Sequence, residues 1–196
     1  MAIYSRTEEQ SMRSFQKAKG VVLEPLLRLL TALSISANMI SFFSAVSAVA
    51  GLGAWLGTGE TQYFVAGIWI HFLLDGIDGS LARYQKKESV AGARLDLLAD
   101  TAGVVATGTF LGASGTVSFF IASLFTGGYL AVNAISEILS IQNKQYVFVI
   151  RPRVFIYGAL LSDLLFATSL TAQVTFLSTI LVIIFTITGI ATLLKK

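Results

Sequence analysis

Apolar residues run in long blocks along this chain, and polar residues collect in short connections between them. A helix rises 1.5 Å per residue, so about 20 apolar residues cover the ~30 Å hydrocarbon layer of a bilayer. The pattern predicts six such spans, at 36–57, 62–83, 93–112, 116–141, 152–169 and 172–194, the fourth with room for an extension beyond the bilayer. Membrane strands would show short alternating segments instead, and the chain has none. "YQKKESVAG" forms a polar turn between the second and third spans, and "GTGETQ", "GASGT" and "SLTAQ" mark turns on the opposite side. The predicted fold is all-α: a polytopic membrane domain of six transmembrane helices over 36–196, preceded by a separate segment, 1–35.

That segment has a different pattern. Thr7 is a candidate N-cap with Glu8 and Glu9 in the first turn, and Val21, Val22, Leu26, Leu29, Leu30 and Leu33 suggest an apolar stripe. An amphipathic helix on the membrane surface is expected over 7–33, with Pro25 placed to break it in two. The plainer alternative is a short, irregular lead-in. The first 20 residues are polar and charged, so no cleavable signal peptide is expected.

Composition agrees with the pattern. Of 196 residues 55% are hydrophobic and 13% charged, with a mean hydropathy of +0.75. A soluble domain would carry about 25% charged residues. Cys is absent, which excludes disulfides, thiolate metal sites and a Cys nucleophile. The placement of charge says more than its sum. All 14 Lys and Arg fall before the first span, around the second-to-third connection, between the fourth and fifth spans, or at the C-terminus. Cytoplasmic loops are the Lys/Arg-rich ones, so both termini and the second-to-third connection are expected in the cytoplasm, on a face that attracts anionic headgroups.

Four aspartates stand out against this background. Asp75 and Asp78 are three apart near the end of the second span, and Asp96 and Asp100 are four apart near the start of the third. Each pair shares a helix face. The short connection makes the two helices antiparallel neighbours, so all four carboxylates can meet in one pocket below the cytoplasmic surface. Carboxylates crowded together repel, and a divalent cation removes the repulsion. Hard oxygen donors without Cys suit Mg²⁺ or Mn²⁺, less clearly Ca²⁺, and four carboxylates can hold two ions, as in many phosphoryl-transfer sites. Gly79 and Gly92 let backbone approach a ligand, Ala82 keeps the wall low, and Arg83 can fork onto a phosphate. The bland alternative is a structural ion-pair cluster of Asp75, Asp78 and Arg83, which leaves the second Asp pair unexplained.

The window reads D-x-x-D-G-x-x-A-R, eight residues, then G-x-x-x-D-x-x-x-D, from Asp75 to Asp100. In this it resembles the CDP-alcohol phosphotransferase (CDP-alcohol phosphatidyltransferase) family, with every motif position present at the right spacing. "SISANMIS" is a weaker likeness to the family's entry into its first span: Asn38 is kept and Ala37 replaces a Pro. The resemblance implies transfer of a phospho-alcohol unit from a CDP-linked donor, with CDP-diacylglycerol the first choice, to an acceptor hydroxyl, releasing CMP. It implies that Asp75, Asp78, Asp96 and Asp100 hold two metal ions. It makes Asp100 the general base, and it assigns Gly79, Ala82, Arg83 and Gly92 to the CDP site. It further implies membrane lipids as partners and a homodimer; no nucleic-acid partner is expected.

The acceptor is less legible. Lys144, Arg151 and Arg153 lie on the cytoplasmic side, and Arg151 and Arg153 flanking Pro152 resemble the paired arginines of the branch that uses inositol phosphate. Positive-inside anchoring explains them equally well. Thr101 follows Asp100 where many phosphatidyl-transferring relatives carry a basic residue; Arg94 either compensates or faces headgroups. Asn133 and Glu137 line the polar cavity or pack against neighbouring helices, with packing favoured. Asp163 is either a substrate-path residue or a sign that the fifth span is drawn too long. His71 is read as structural, Trp55 and Tyr63 as an outer aromatic belt, and Gly103, Gly108 and Gly112 as helix-packing positions.

Rival classes each leave something out. A divalent-cation transporter would place its acids near mid-bilayer, commonly with an inverted repeat. A scaffold does not explain the motif spacing. A lipid phosphatase needs a His or Ser nucleophile and a denser basic set than one His, His71, provides.

Overall fold

A computed structural model describes residues 19–20, 22–142 and 151–194, and among these every regular element is a helix. Residues 22–32 form α1. It is followed by α2 (Ala37–Thr58), α3 (Thr61–Tyr84), α4 (Val90–Ala113), α5 (Phe119–Ile141), α6 (Pro152–Phe166) and α7 (Thr171–Leu194). The six predicted spans correspond to α2–α7. Four of these helices, α2, α3, α5 and α7, are long and apolar enough to cross a membrane. Arg94, Asp96 and Asp100 lower the hydropathy of α4, and α6 has only 15 residues.

The ends of the helices follow local chemistry. Ser36 and Ser89 are N-caps, their hydroxyls accepting from the backbone N–H of Met39 and Gly92. The Ser89 cap starts α4 at Val90, three residues before the predicted span. Gly59 closes α2 in the left-handed region, at φ +78°, and its N–H bonds Trp55 O at 2.7 Å. The fifth span, predicted to run to 169, stops at Phe166. The cause is Asp163, whose carboxylate accepts from Leu170 N (2.8 Å), Thr171 N (3.0 Å) and the Thr168 and Thr171 hydroxyls. Asp163 is thus the cap of the α6–α7 turn and not a substrate-path residue.

α2 packs along α3 and α4, α5 sits between α4 and α7, and α6 lies against α3 and α7. Where α2 crosses α3, two glycines touch: a Cβ built on Gly67 would fall 2.6 Å from Gly51 Cα. This backbone contact brings Ser41 and Ser44 of α2 to Asp78 and His71 of α3. Gly108 and Gly112 press α4 onto Thr126, Ala122 and Phe119 of α5, so this GxxxG is used within the chain. Gly103 makes room for the buried His71 ring, whose Nδ1 lies 2.8 Å from Ser44 Oγ, as a structural His would. Tyr63 is exposed, but Trp55 turns inward, edge-on to Phe110 at 4.8 Å. Asn133 Nδ2 is buried and unpartnered among the described residues, whereas Glu137 is exposed.

Pro25 does not break α1 within 22–32. The single predicted stripe resolves into two apolar faces. Leu23, Leu27 and Leu30 pack against Ile40, Ile77 and Leu81, while Val22, Leu26, Leu29 and Leu33 point outward and are exposed. Gln85 fastens α1 to the end of α3, its amide donating to Ile35 O at 2.8 Å and Thr31 Oγ1 at 3.3 Å. Thr7, Glu8, Glu9 and Val21 lie outside the described residues.

Candidate active site

The second half of α3 and the first half of α4 supply the whole motif. Carboxylate oxygens of Asp75, Asp96 and Asp100 lie within 4.8 Å of one another. Asp78 is held differently. Its Oδ2 accepts a 2.6 Å hydrogen bond from Ser41 Oγ, and its Oδ1 accepts from Gly79 N at 2.6 Å. Ser41 was missed in the sequence. The available signal was its position one turn after Asn38, on the helix face that meets α3.

Beside the three clustered carboxylates, α2, α3 and α4 enclose a cavity of about 170 Å³. Asp78, Gly79, Ala82, Arg83, Gly92 and Asp96 line it, and α2 adds Asn38 and Ser41. The four residues expected around CDP therefore share one cavity with two of the four aspartates. The glycines differ in what they permit. A Cβ at Gly92 would lie 3.2 Å from Asn38 Oδ1 and from Ser89 Oγ, whereas one at Gly79 would meet only Arg83 Nη1, at 3.6 Å.

The basic residues divide. Arg153 is buried, 1% exposed, and ion-paired to Asp75 Oδ2 (Nη2, 3.2 Å) and Asp100 Oδ1 (Nη1, 2.5 Å, close but not aligned as a hydrogen bond). Arg151, the half-exposed residue before Pro152, reaches Asp75 Oδ2 at 3.5 Å and Asp100 Oδ2 at 4.0 Å. A Pro at the first helical position sets this geometry, because it starts α6 immediately after Arg151. Arg94 is exposed on α4, and Thr101 bonds back to Leu97 O. Lys144 lies outside the described residues.

The sequence model of the CDP-alcohol phosphatidyltransferase family matches residues 29–194. The chain belongs to this family. It is a multi-pass membrane enzyme, a transferase of phospholipid biosynthesis. The fold is similar to that of Mycobacterium tuberculosis phosphatidylinositol phosphate synthase (PgsA1). Against its apo form the TM-score is 0.73 at 17% identity, covering 87% of this chain and 95% of the other. Against the form with manganese and citrate it is 0.71 at 18% identity, covering 87% and 88%. Against the form with CDP-DAG bound it is 0.71 at 17% identity, covering 87% and 92%. No curated protein sequence matches the chain.

The donor set fits a divalent cation. Three buried or half-buried carboxylates converge, all with hard oxygen donors, and Asp75 Oδ1 is buried with no hydrogen-bond donor among the described residues.

Proposed function

We propose that this enzyme transfers the phosphatidyl group of CDP-diacylglycerol to a hydroxyl of a phosphorylated polyol, such as inositol phosphate or glycerol phosphate, and releases CMP. The observation that carries the reading is the shared cavity: Gly79, Ala82, Arg83 and Gly92 line a cleft continuous with Asp78 and Asp96, and α3 and α4 place Asp75 and Asp100 beside it. Asp75, Asp78, Asp96 and Asp100 hold Mg²⁺ or Mn²⁺, in two sites. The metal, when bound, neutralises pyrophosphate charge and makes CMP a better leaving group.

The chain's own residues do the rest. Gly79 and Gly92 leave space for the nucleotide against backbone, and Arg83 meets a phosphate from the exposed edge. Asp100 accepts the acceptor's hydroxyl proton. The freed oxygen bonds to the phosphatidyl phosphorus as the anhydride P–O bond to CMP breaks. Arg151 stands half-exposed beside Asp100, where it binds the acceptor's phosphate; Arg94, exposed on α4, adds positive charge to the same helix. Arg153, buried between Asp75 and Asp100, holds the Asp100 carboxylate in place.

The same reading makes α2–α7 six membrane spans with both termini and the site cytoplasmic. It supports α4 as a span because Asp96 and Asp100 turn toward Asp75 of α3. In this arrangement α1 rests on the interface with Val22, Leu26, Leu29 and Leu33 in lipid.

The test is CMP release by the purified chain given CDP-diacylglycerol, Mg²⁺ or Mn²⁺, and inositol phosphate, glycerol phosphate, serine or inositol. Metal-dependent release with one phosphorylated acceptor, lost in Asp100→Asn, supports the reading. Absence of metal-dependent CDP-diacylglycerol binding refutes it.

A further inference from the structure

Lys19 lies ten residues before the start of the family match, in the N-terminal segment. The fold nevertheless brings its ammonium to the motif. A Cβ built on Gly76, the residue after Asp75, would find a single neighbour within 4 Å: Lys19 Nζ, at 3.9 Å. Gly76 is not a motif position, and the lysine ammonium sits at van der Waals distance over it.

The electrostatic surroundings of Lys19 are Arg83, Asp75, Asp78 and Arg151. Burial, and next to it the Arg83 guanidinium, hold the ammonium below the ordinary lysine range. Among the described residues no carboxylate comes close enough to form an ion pair with it. Its two carboxylate neighbours are themselves engaged, Asp75 by Arg151 and Arg153 and Asp78 by Ser41. Arg83 lines the cleft, Arg151 lies beside Asp75 and Asp100, and Lys19 stands over Gly76 between them, so three cations gather around the motif. An anion entering among these cations gains charge-assisted hydrogen bonds from each that it reaches.

We infer that Lys19 is a substrate-binding residue that lies beside the motif and binds a phosphate oxyanion. This rests on the phosphotransferase reading above. The oxyanion belongs either to the donor's pyrophosphate or to the acceptor's phosphate.

The experiment uses the full chain in detergent with Mn²⁺. CDP-diacylglycerol affinity, the KM for donor, the KM for phosphorylated acceptor, kcat and the melting temperature are measured for wild type, Lys19→Gln and Lys19→Arg. Loss of one charge-assisted contact at a partly exposed site is expected to raise one KM roughly tenfold. Lys19→Arg should recover most of it, and the effect should shrink at high salt. A rise confined to the donor KM and donor affinity assigns the pyrophosphate; a rise confined to the acceptor KM assigns the acceptor phosphate. Wild-type donor binding with both KM values unchanged in Lys19→Gln overturns the inference alone, and a lower melting temperature in that case marks a structural lysine. A wild type that does not bind CDP-diacylglycerol overturns the functional reading, and this inference with it.

Discussion

Arg153→Met removes the cation between Asp75 and Asp100 while keeping an unbranched side chain of similar length. Arg153 is 1% exposed, and its carboxylate partners have side chains only 8% and 14% exposed, so solvent does little to screen the loss. Taking one partner out of a buried ion pair costs about 3–5 kcal/mol, because the remaining charge stays uncompensated. With chelator present, the melting temperature should fall by on the order of 10 °C, at about 2–4 °C per kcal/mol for a chain of this size. Mn²⁺ should narrow the gap. It supplies the missing positive charge, and a ligand at 100 times its Kd stabilises by about 2.7 kcal/mol. The variant should therefore gain more from Mn²⁺ than wild type does, because Arg153 no longer competes for the same oxygens. The assay is a thermal melt in detergent, read by fluorescence of Trp55 and Trp69, with chelator and with Mn²⁺. Equal stability of variant and wild type in chelator, or an unchanged gap in Mn²⁺, refutes the reasoning.

Ser41→Ala should weaken Mn²⁺ binding about 10- to 100-fold by releasing Asp78, with Ser41→Thr restoring it; titration calorimetry measures this directly. Gly79→Ala should melt like wild type, since its methyl meets only Arg83 Nη1 at 3.6 Å, but should raise the donor KM about tenfold as the methyl enters the cleft. Asp163→Ala should lower stability by about 1–2 kcal/mol through loss of the α7 cap and leave both KM values unchanged, as a denaturation curve beside steady-state kinetics will show.

The long helices were legible because apolar blocks of this length have few alternatives, and the motif because chemistry needs its residues at helical spacing. Arg153 was not legible. Whether an Arg at the start of a helix faces headgroups or a buried carboxylate depends on where α6 docks against α3, a contact between residues 78 positions apart. Asp163 was misplaced for a related reason: hydropathy runs on past Phe166, and only the hydrogen bonds to Leu170 and Thr171 reveal the turn. On α1, periodicity found apolar residues but merged Leu30 with Leu29, since it cannot tell a face turned to protein from one turned outward. Ser41 was hidden because a serine in an apolar helix signals nothing until its partner, Asp78, is known.

The contact between Gly51 and Gly67 sets a limit on how this sequence can drift. Glycine is the smallest residue, so every substitution at either position is an enlargement, and the obstacle is backbone, Gly51 Cα at 2.6 Å from a Cβ at Gly67. Neither partner can shrink to compensate for the other. Relief would require α2 and α3 to part, and separation would pull Ser41 from Asp78 and Ser44 from His71. Two residues that touch no substrate are thereby tied to the chemistry, and variation in this helix pair is channelled to its outward-facing positions.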